Sequence, residues 1–140
     1  MSDQFSVRVS VRGYEIDGNG HVSSAVLMQY GQHSRWEALQ AAGIDYDVLT
    51  ARRVGPVSLE ETIRYRHEVL AGDELDVTCS YHWGEGHTFR IEQELRRIDG
   101  ILLAEIANIG GVLDLNSRRL VPDPASYWRQ AAARPDVIGL

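Results

Sequence analysis

The sequence predicts an α+β fold in which one long helix lies across a sheet of five antiparallel strands. Three observations lead there. A single long stretch of helical period, Val22 to Ala42, stands near the N-terminus. After Gly55-Pro56 the apolar period drops to two and stays there. Turn signals at Gly72-Asp73, Gly84-Glu85-Gly86 and Asp99-Gly100 then divide the rest into four strands, with a fifth before the helix. One apolar helix against a meander of long strands makes two packed layers.

The first strand is the alternation of Phe5, Val7, Val9 and Val11 with Ser6, Arg8, Ser10 and Arg12. The break Asp17-Gly18-Asn19-Gly20 follows. The helix carries Val22, Val26, Tyr30, His33, Trp36 and Leu39 near one stripe, with Ser23 and Ser24 serving its first turn and Gly43 just past its end. Tyr46 to Ala51 is a further helical turn. In the second strand Val57, Leu59, Glu61, Ile63 and Tyr65 share a face, and the strand extends toward Val69. Leu75, Val77, Cys79, Tyr81 and Trp83 make the third, and Phe89, Ile91, Gln93 and Leu95 the fourth. Ile101 to Leu115 is the fifth, where Gly110-Gly111 marks a bulge or bend. Asp123-Pro124 caps a short helix over Ala125 to Ala133. The reading is one domain, residues 1–140, with a short C-terminal extension over about 123–140. The sheet has exposed edges and one helix to cover it, so pairing with a second copy is expected.

Composition narrows the chemistry. All 14 basic residues are arginine, so lysine Schiff bases, pyridoxal-phosphate anchors and phosphate-loop lysines are excluded. A net charge of −6 argues against nonspecific nucleic-acid binding, and no apolar run is long enough to span a membrane. The Met1-Ser2-Asp3-Gln4 start lacks the features of a signal peptide, which sets the expected location as cytoplasmic. The single cysteine, Cys79, sits in an alternating apolar run and reads as a core thiol; no metal site is expected.

The segment Tyr14 to Ser24 places an acid, Asp17, and an imidazole, His21, directly before a helix N-terminus. Backbone N–H groups there carry partial positive charge and can receive an oxyanion. A carboxylate beside them could attack a carbonyl or activate a water, an acyl-transfer arrangement. The same residues also suit a plain Asx-Gly turn, with Asp17 as a loop or helix cap and His21 as a structural histidine.

Asp17-Gly18-Asn19-Gly20-His21-Val22, followed by a helix with Tyr30 and Arg35-Trp36-Glu37, resembles the hot-dog-fold acyl-CoA thioesterases of the 4-hydroxybenzoyl-CoA thioesterase type. Gly72-Asp73 between long strands fits as well, and the resemblance covers roughly residues 5 to 120. It implies a hot-dog fold, one long central helix wrapped by a five-stranded antiparallel sheet. It also implies hydrolysis of an acyl thioester, on coenzyme A or an acyl carrier protein, to free acid and thiol. In that family the acid, carried here onto Asp17, is nucleophile or general base. First-turn N–H groups form the oxyanion hole, carried onto Gly20 to Ser24, so that Gly20, His21 and Ser24 join Asp17 as catalytic candidates. Ser23, Tyr30, Arg35, Val57, Ser58 and Leu59 are the substrate-binding candidates by the same resemblance. Active sites at the interface of a homodimer, with further pairing to a dimer of dimers, are implied too. No cofactor is expected beyond coenzyme A as part of the substrate.

This chain departs from the family at two places. Ser23-Ser24 replaces the usual asparagine pair. The hairpin Trp83 to Thr88 offers Glu85 and His87 where some relatives hold coenzyme A phosphates with basic residues. Arg52-Arg53 and Arg118-Arg119 are the remaining paired positive charges, readable as solvated surface or as a phosphate clamp. Arg35 reads either as a functional arginine or as an ion-pair partner. Two other functions stay open at this point. One is an enoyl-thioester hydratase or dehydratase, which typically carries an Asp-x-Asn-Pro-x-His loop absent here. The other is a non-catalytic acyl-thioester binding protein.

Overall fold

A computed structural model describes residues 4–140; the Met1 to Asp3 start, used above to read location, lies outside the described residues. The chain runs β1 (Phe5–Ser10), α1 (Ser24–Ala41), α2 (Tyr46–Arg52), β2 (Val54–Tyr65), β3 (Glu74–His82), β4 (Phe89–Arg97), β5 (Leu102–Asp114), β6 (Arg119–Leu120) and α3 (Pro124–Ala131). Short 3-10 turns cover Gly13–Glu15 and Pro135–Ile138. The sheet order is β1-β3-β4-β5-β2, antiparallel throughout, with β6 pairing the end of β5. The α+β class, the long helix and the five long strands are as expected. The sixth strand is too short to leave a periodic signal. No helix among the described residues is long and apolar enough to cross a membrane.

The helix buries a face shifted from the expected stripe, keeping Tyr30 and Leu39 but leaving out His33 and Trp36. Leu27, Tyr30, Gly31, Ser34, Ala38 and Leu39 face the sheet, whereas His33 is exposed and Trp36 stays 39% exposed. Side-chain size selects this face. A Cβ on Gly31 would lie 2.7 Å from Ile106 Cδ1. The Ser34 hydroxyl reaches across to donate to the Val77 carbonyl at 2.9 Å. Small residues let the helix axis approach the strands, and the large ones flank the contact.

Register also departs from simple alternation. The pairing of β2 with β5 slips between Ser58 and Glu60, so Leu59 has no partner and bulges out, 52% exposed. The bulge expected at Gly110-Gly111 thus sits on the strand opposite. A Cβ on Gly110 would lie 3.0 Å from the Val57 carbonyl, so the glycine accommodates the neighbouring irregularity. The bulge shifts parity, and Ser58, not Leu59, shares a face with Glu61. β2 ends at Tyr65 instead of running toward Val69. Val69 turns to the N-terminal loop, its carbonyl accepting from Val22 N at 2.8 Å.

The core has two halves. One gathers Leu27, Tyr30, Leu75, Leu95 and Ile106 under the first part of α1. The other gathers Leu39, Ile44, Phe89, Ile91 and Val112 under its end, and α3 adds Trp128 to it, fully buried. Asp123 caps α3, accepting from Ser126 N at 3.1 Å, as the Asp-Pro signal implied.

Candidate active site

The loop before α1 is built around Asp17. Its Oδ1 accepts from Asn19 N at 2.8 Å and from His21 N at 3.1 Å, while its carbonyl accepts from Gly20 N at 3.1 Å. Its own amide donates to the His21 carbonyl at 2.8 Å, closing the loop. Gly20 sits at φ 78°, a left-handed conformation that glycine adopts readily. Among the described residues Oδ2 has no hydrogen-bond partner, and Asp17 is exposed. The carboxylate is therefore held through one oxygen and presents the other.

The amides around it are already divided. Gly20 N and His21 N serve Asp17, and Val22 N serves Val69. Ser23 is the N-cap, its Oγ accepting from Val26 N at 3.4 Å. The amides of Ser23, half-buried, and of Ser24 and Ala25, both exposed, remain without partners among the described residues, the last two in the first turn of the helix. That exposed pair are the donors left for an oxyanion.

His21 and Tyr30 anchor the loop. His21 Nε2 lies 2.6 Å from Glu68 Oε2 in an exposed pair. The Tyr30 hydroxyl donates to Glu15 Oε1 at 2.6 Å. Burial, reinforced by the Glu15 carboxylate, holds the Tyr30 phenol well above its ordinary pKa and therefore neutral. Tyr30 faces the core here.

A cavity of about 370 Å³ opens further along α1, between the helix and the start of β2. Its walls include His33, Arg35 and Trp36 from α1 and Val57 and Ser58 from β2. Tyr81, Phe89 and Trp128 add aromatic surface. The Trp128 indole N–H is buried without an acceptor among the described residues. None of Asp17, Gly20, His21, Ser23 and Ser24 lines this cavity, and Leu59 and Tyr30 do not either. Within one chain the acid loop and the cavity stay separate.

A polar network supports the cavity wall. Arg35 donates through one nitrogen to Glu61 Oε1 at 2.8 Å and through another to Gln93 Oε1 at 3.0 Å. Asn108 donates to the same Glu61 oxygen and to Ser58 Oγ, each at 2.9 Å. Gln93 donates in turn to the Gly31 carbonyl at 2.9 Å. Gln93 and Asn108 are each 2% exposed. Arg35 thus pairs with Glu61, three residues of different strands converging on its guanidinium and its partner. Sequence reasoning passed over Glu61, Gln93 and Asn108. Their signal was polarity at inward positions of apolar strands, which only the register could turn into proximity.

Cys79 is buried, and desolvation pushes its thiol up to about 12, so the thiolate a nucleophile needs is suppressed.

With this geometry in place, comparison with known proteins identifies the relatives. Residues 11–137 match the Thioesterase-like superfamily. The chain is 34% identical over 77 residues to the acyl-acyl carrier protein thioesterase ATL3, chloroplastic, of Arabidopsis thaliana, a stretch covering 55% of this chain and 40% of that protein. It is 28% identical over 71 residues to the long-chain acyl-CoA thioesterase FadM of Escherichia coli strain K12, covering 51% and 53%. The chain thus spans about half or less of the curated relatives it matches. In fold it is similar to Slr0204, a 1,4-dihydroxy-2-naphthoyl-CoA thioesterase from Synechocystis, with a TM-score of 0.81 at 19% identity over 92% of this chain and 95% of that one. The helix and curled antiparallel sheet are those of the hot-dog fold.

Proposed function

The chain belongs to the thioesterase-like superfamily, and from that membership we propose that it hydrolyses an acyl thioester to a free acid and a thiol. The observation that carries the site assignment is the free Oδ2 of Asp17 beside the unpartnered amides of Ser24 and Ala25. The carboxylate drives attack on the thioester carbon, either directly or by taking a proton from water. In both routes a C–O bond forms, charge collects on the carbonyl oxygen, and the two amides receive it. The C–S bond then breaks and the thiolate leaves to take up a proton. On the direct route this leaves an Asp17 acyl anhydride, which water must then cleave to release the acid and restore the carboxylate. Gly20 and His21 shape this loop by holding Oδ1 and the Asp17 carbonyl, Ser23 by capping the helix. No resident cofactor or metal enters; coenzyme A, where present, belongs to the substrate.

The acyl group is read into the cavity between α1 and β2, with Val57, Ser58 and Arg35 on its wall. Because the acid loop and the cavity do not meet in one chain, the reading requires two copies, each lending its loop to the other's cavity. β2 supports this: it is a twelve-residue edge strand carrying exposed Leu59 and Tyr65. A homodimer, with pairing to a dimer of dimers, follows as part of the proposal. Thiol release from acyl-CoA and acyl-carrier substrates tests it, with Asp17→Asn as the control. In a single turnover in ¹⁸O-water, label in the Asp17 carboxylate identifies direct attack with water cleaving the anhydride at the Asp17 carbonyl, since the general-base route puts label in the product alone. Undiminished hydrolysis by Asp17→Asn would remove Asp17 from the chemistry.

A further inference from the structure

The arginines divide into two populations. Among the described residues eight of the fourteen face a carboxylate in an ion pair. Most of these lie on the sheet, where Arg8 meets Asp76 and Arg66 meets Glu105. Besides Arg64 of β2 and Arg129 of α3, the exposed arginines without such a partner among the described residues are Arg52, Arg53, Arg118 and Arg119. These last four meet in space at one end of the molecule. Arg53 Nε donates to Asn116 Oδ1 at 2.7 Å and its carbonyl accepts from Leu115 N at 3.0 Å, which ties the end of α2 to the β5–β6 turn. That turn carries Arg118 and leads into Arg119 of β6. Arg52 lies over the Tyr127 ring of α3, 5.4 Å from its centroid.

The nearby acids are occupied elsewhere. Asp114 Oδ1 accepts from the amides of Asn116 and Ser117, Asp45 caps α2, and Asp123 caps α3. Asp47, in the first turn of α2, is the remaining one. Backbone conformation adds an independent mark. The two non-glycine residues at positive φ among those described are Arg53, at 53°, and Arg118, at 61°. Glycine would suit either position better, so the side chain is retained against the local backbone preference. Without these four, ten arginines stand against twenty carboxylates. An acidic partner is repelled by the net charge of the chain and drawn to the cluster of unpaired arginines at this end.

We propose that the arginine end docks the acidic surface of an acyl carrier protein, and that the acyl group reaches this enzyme on a carrier. Position supports the partner. β2 runs from Val54, beside the patch, to Val57 and Ser58 on the cavity wall, about 13 Å along the strand. Trp128 lines that cavity and its neighbour Tyr127 carries Arg52. A carrier seated on the arginines delivers its flexible thioester arm along this edge. Four separated charges across the end of α2, the β5–β6 turn and β6 suit a broad acidic surface better than a single compact phosphate cluster.

This proposal rests on the thioesterase reading, and the test keeps the two apart. The variant Arg52→Gln/Arg53→Gly/Arg118→Gly/Arg119→Gln removes the charges while easing both left-handed positions. Wild type and variant are assayed on octanoyl-carrier protein, octanoyl-CoA and octanoyl-pantetheine, at low and high salt. Binding of fluorescently labelled holo-carrier is followed separately by anisotropy. On the carrier substrate kcat/KM falls about tenfold or more at low salt, mainly through KM, and the gap closes as salt rises. Octanoyl-pantetheine turnover stays within about twofold, which also reports that the variant is folded. Should the quadruple variant fail that control, Arg118→Gly/Arg119→Gln carries the same comparison with a smaller fall. An equal loss on octanoyl-CoA overturns the proposal in favour of the nucleotide phosphates, and an unchanged carrier KM overturns it outright. Wild type that binds carrier through these arginines but cleaves none of the three thioesters leaves docking standing and removes hydrolysis. Cleavage of pantetheine with no carrier binding does the reverse.

Discussion

The Asp17 loop and the wall of the cavity are both polar, and they are built in opposite ways. The loop is local: every hydrogen bond to Asp17 comes from within four residues, and its residues are exposed. The wall is non-local: Arg35, Glu61, Gln93 and Asn108 come from α1, β2, β4 and β5, with Gln93 and Asn108 buried, Arg35 half-buried and Glu61 at the exposed rim. A local, exposed loop can carry a reactive carboxylate whose loss leaves the fold alone. A buried network cannot be altered without disturbing packing, so it shapes the site and supports the fold together.

Substitutions that separate rate from stability sharpen this contrast. The largest effect is expected for Asp17→Asn. The amide oxygen still accepts from Asn19 and His21, so the loop persists, while kcat falls by about 10² to 10⁴-fold with an unchanged melting temperature. A comparable loss of melting temperature would show the loop to be structural after all. Next is Glu61→Leu, which takes one of two acceptors from the Arg35 guanidinium, 13% exposed, and one of two from the Asn108 amide. Denaturant titration should show a loss of about 1.5 kcal/mol. Replacing both partners, as Arg35→Met/Glu61→Leu, should recover more than half of it; full additivity of the two single changes would deny the coupling.

Trp128→Phe tests the cavity wall more gently. It shrinks a buried ring but also removes an indole N–H that has no acceptor among the described residues, so the expected loss is only about 1 kcal/mol. A loss above about 3 kcal/mol would point to a partner for that N–H in the assembled protein. The smallest effect is expected for His21→Ala. Its ion pair with Glu68 is exposed on both sides, so urea titration should register about 0.5 kcal/mol and kcat should change less than about threefold. A loss of kcat near that of Asp17→Asn would instead assign the imidazole to the reaction.

Legibility followed the same division. Asp17, Gly20 and His21 stand close in sequence, and a short glycine-containing loop before a capped helix has few ways to close, so their grouping was readable in advance. Ser24 was among the amide donors expected, but that Gly20 and His21 spend theirs on Asp17 and that Ala25 keeps its own free was not readable, because which amides a loop consumes depends on its final closure. Leu59 was expected on the pocket face and is bulged away from it, since one unpaired residue on β2 reverses the parity beyond it. His33 and Trp36 were expected on the packed stripe, but Gly31, Ser34 and Ala38 lie there because only small side chains let α1 approach the sheet.

What the amino-acid order determined by itself is everything that rests on neighbours along the chain: the helix and its serine cap, the strands, their turns, and the Asp17 loop before the helix. Period and capping are properties of a few consecutive residues, and no distant contact is needed to express them. The tertiary structure alone decided the helix face, the bulge opposite Gly110, the Arg35–Glu61–Asn108 network and the meeting of four arginines at one end. Each of these joins residues tens of positions apart. Their proximity depends on strand register and on how closely the layers pack, which no short stretch of sequence encodes.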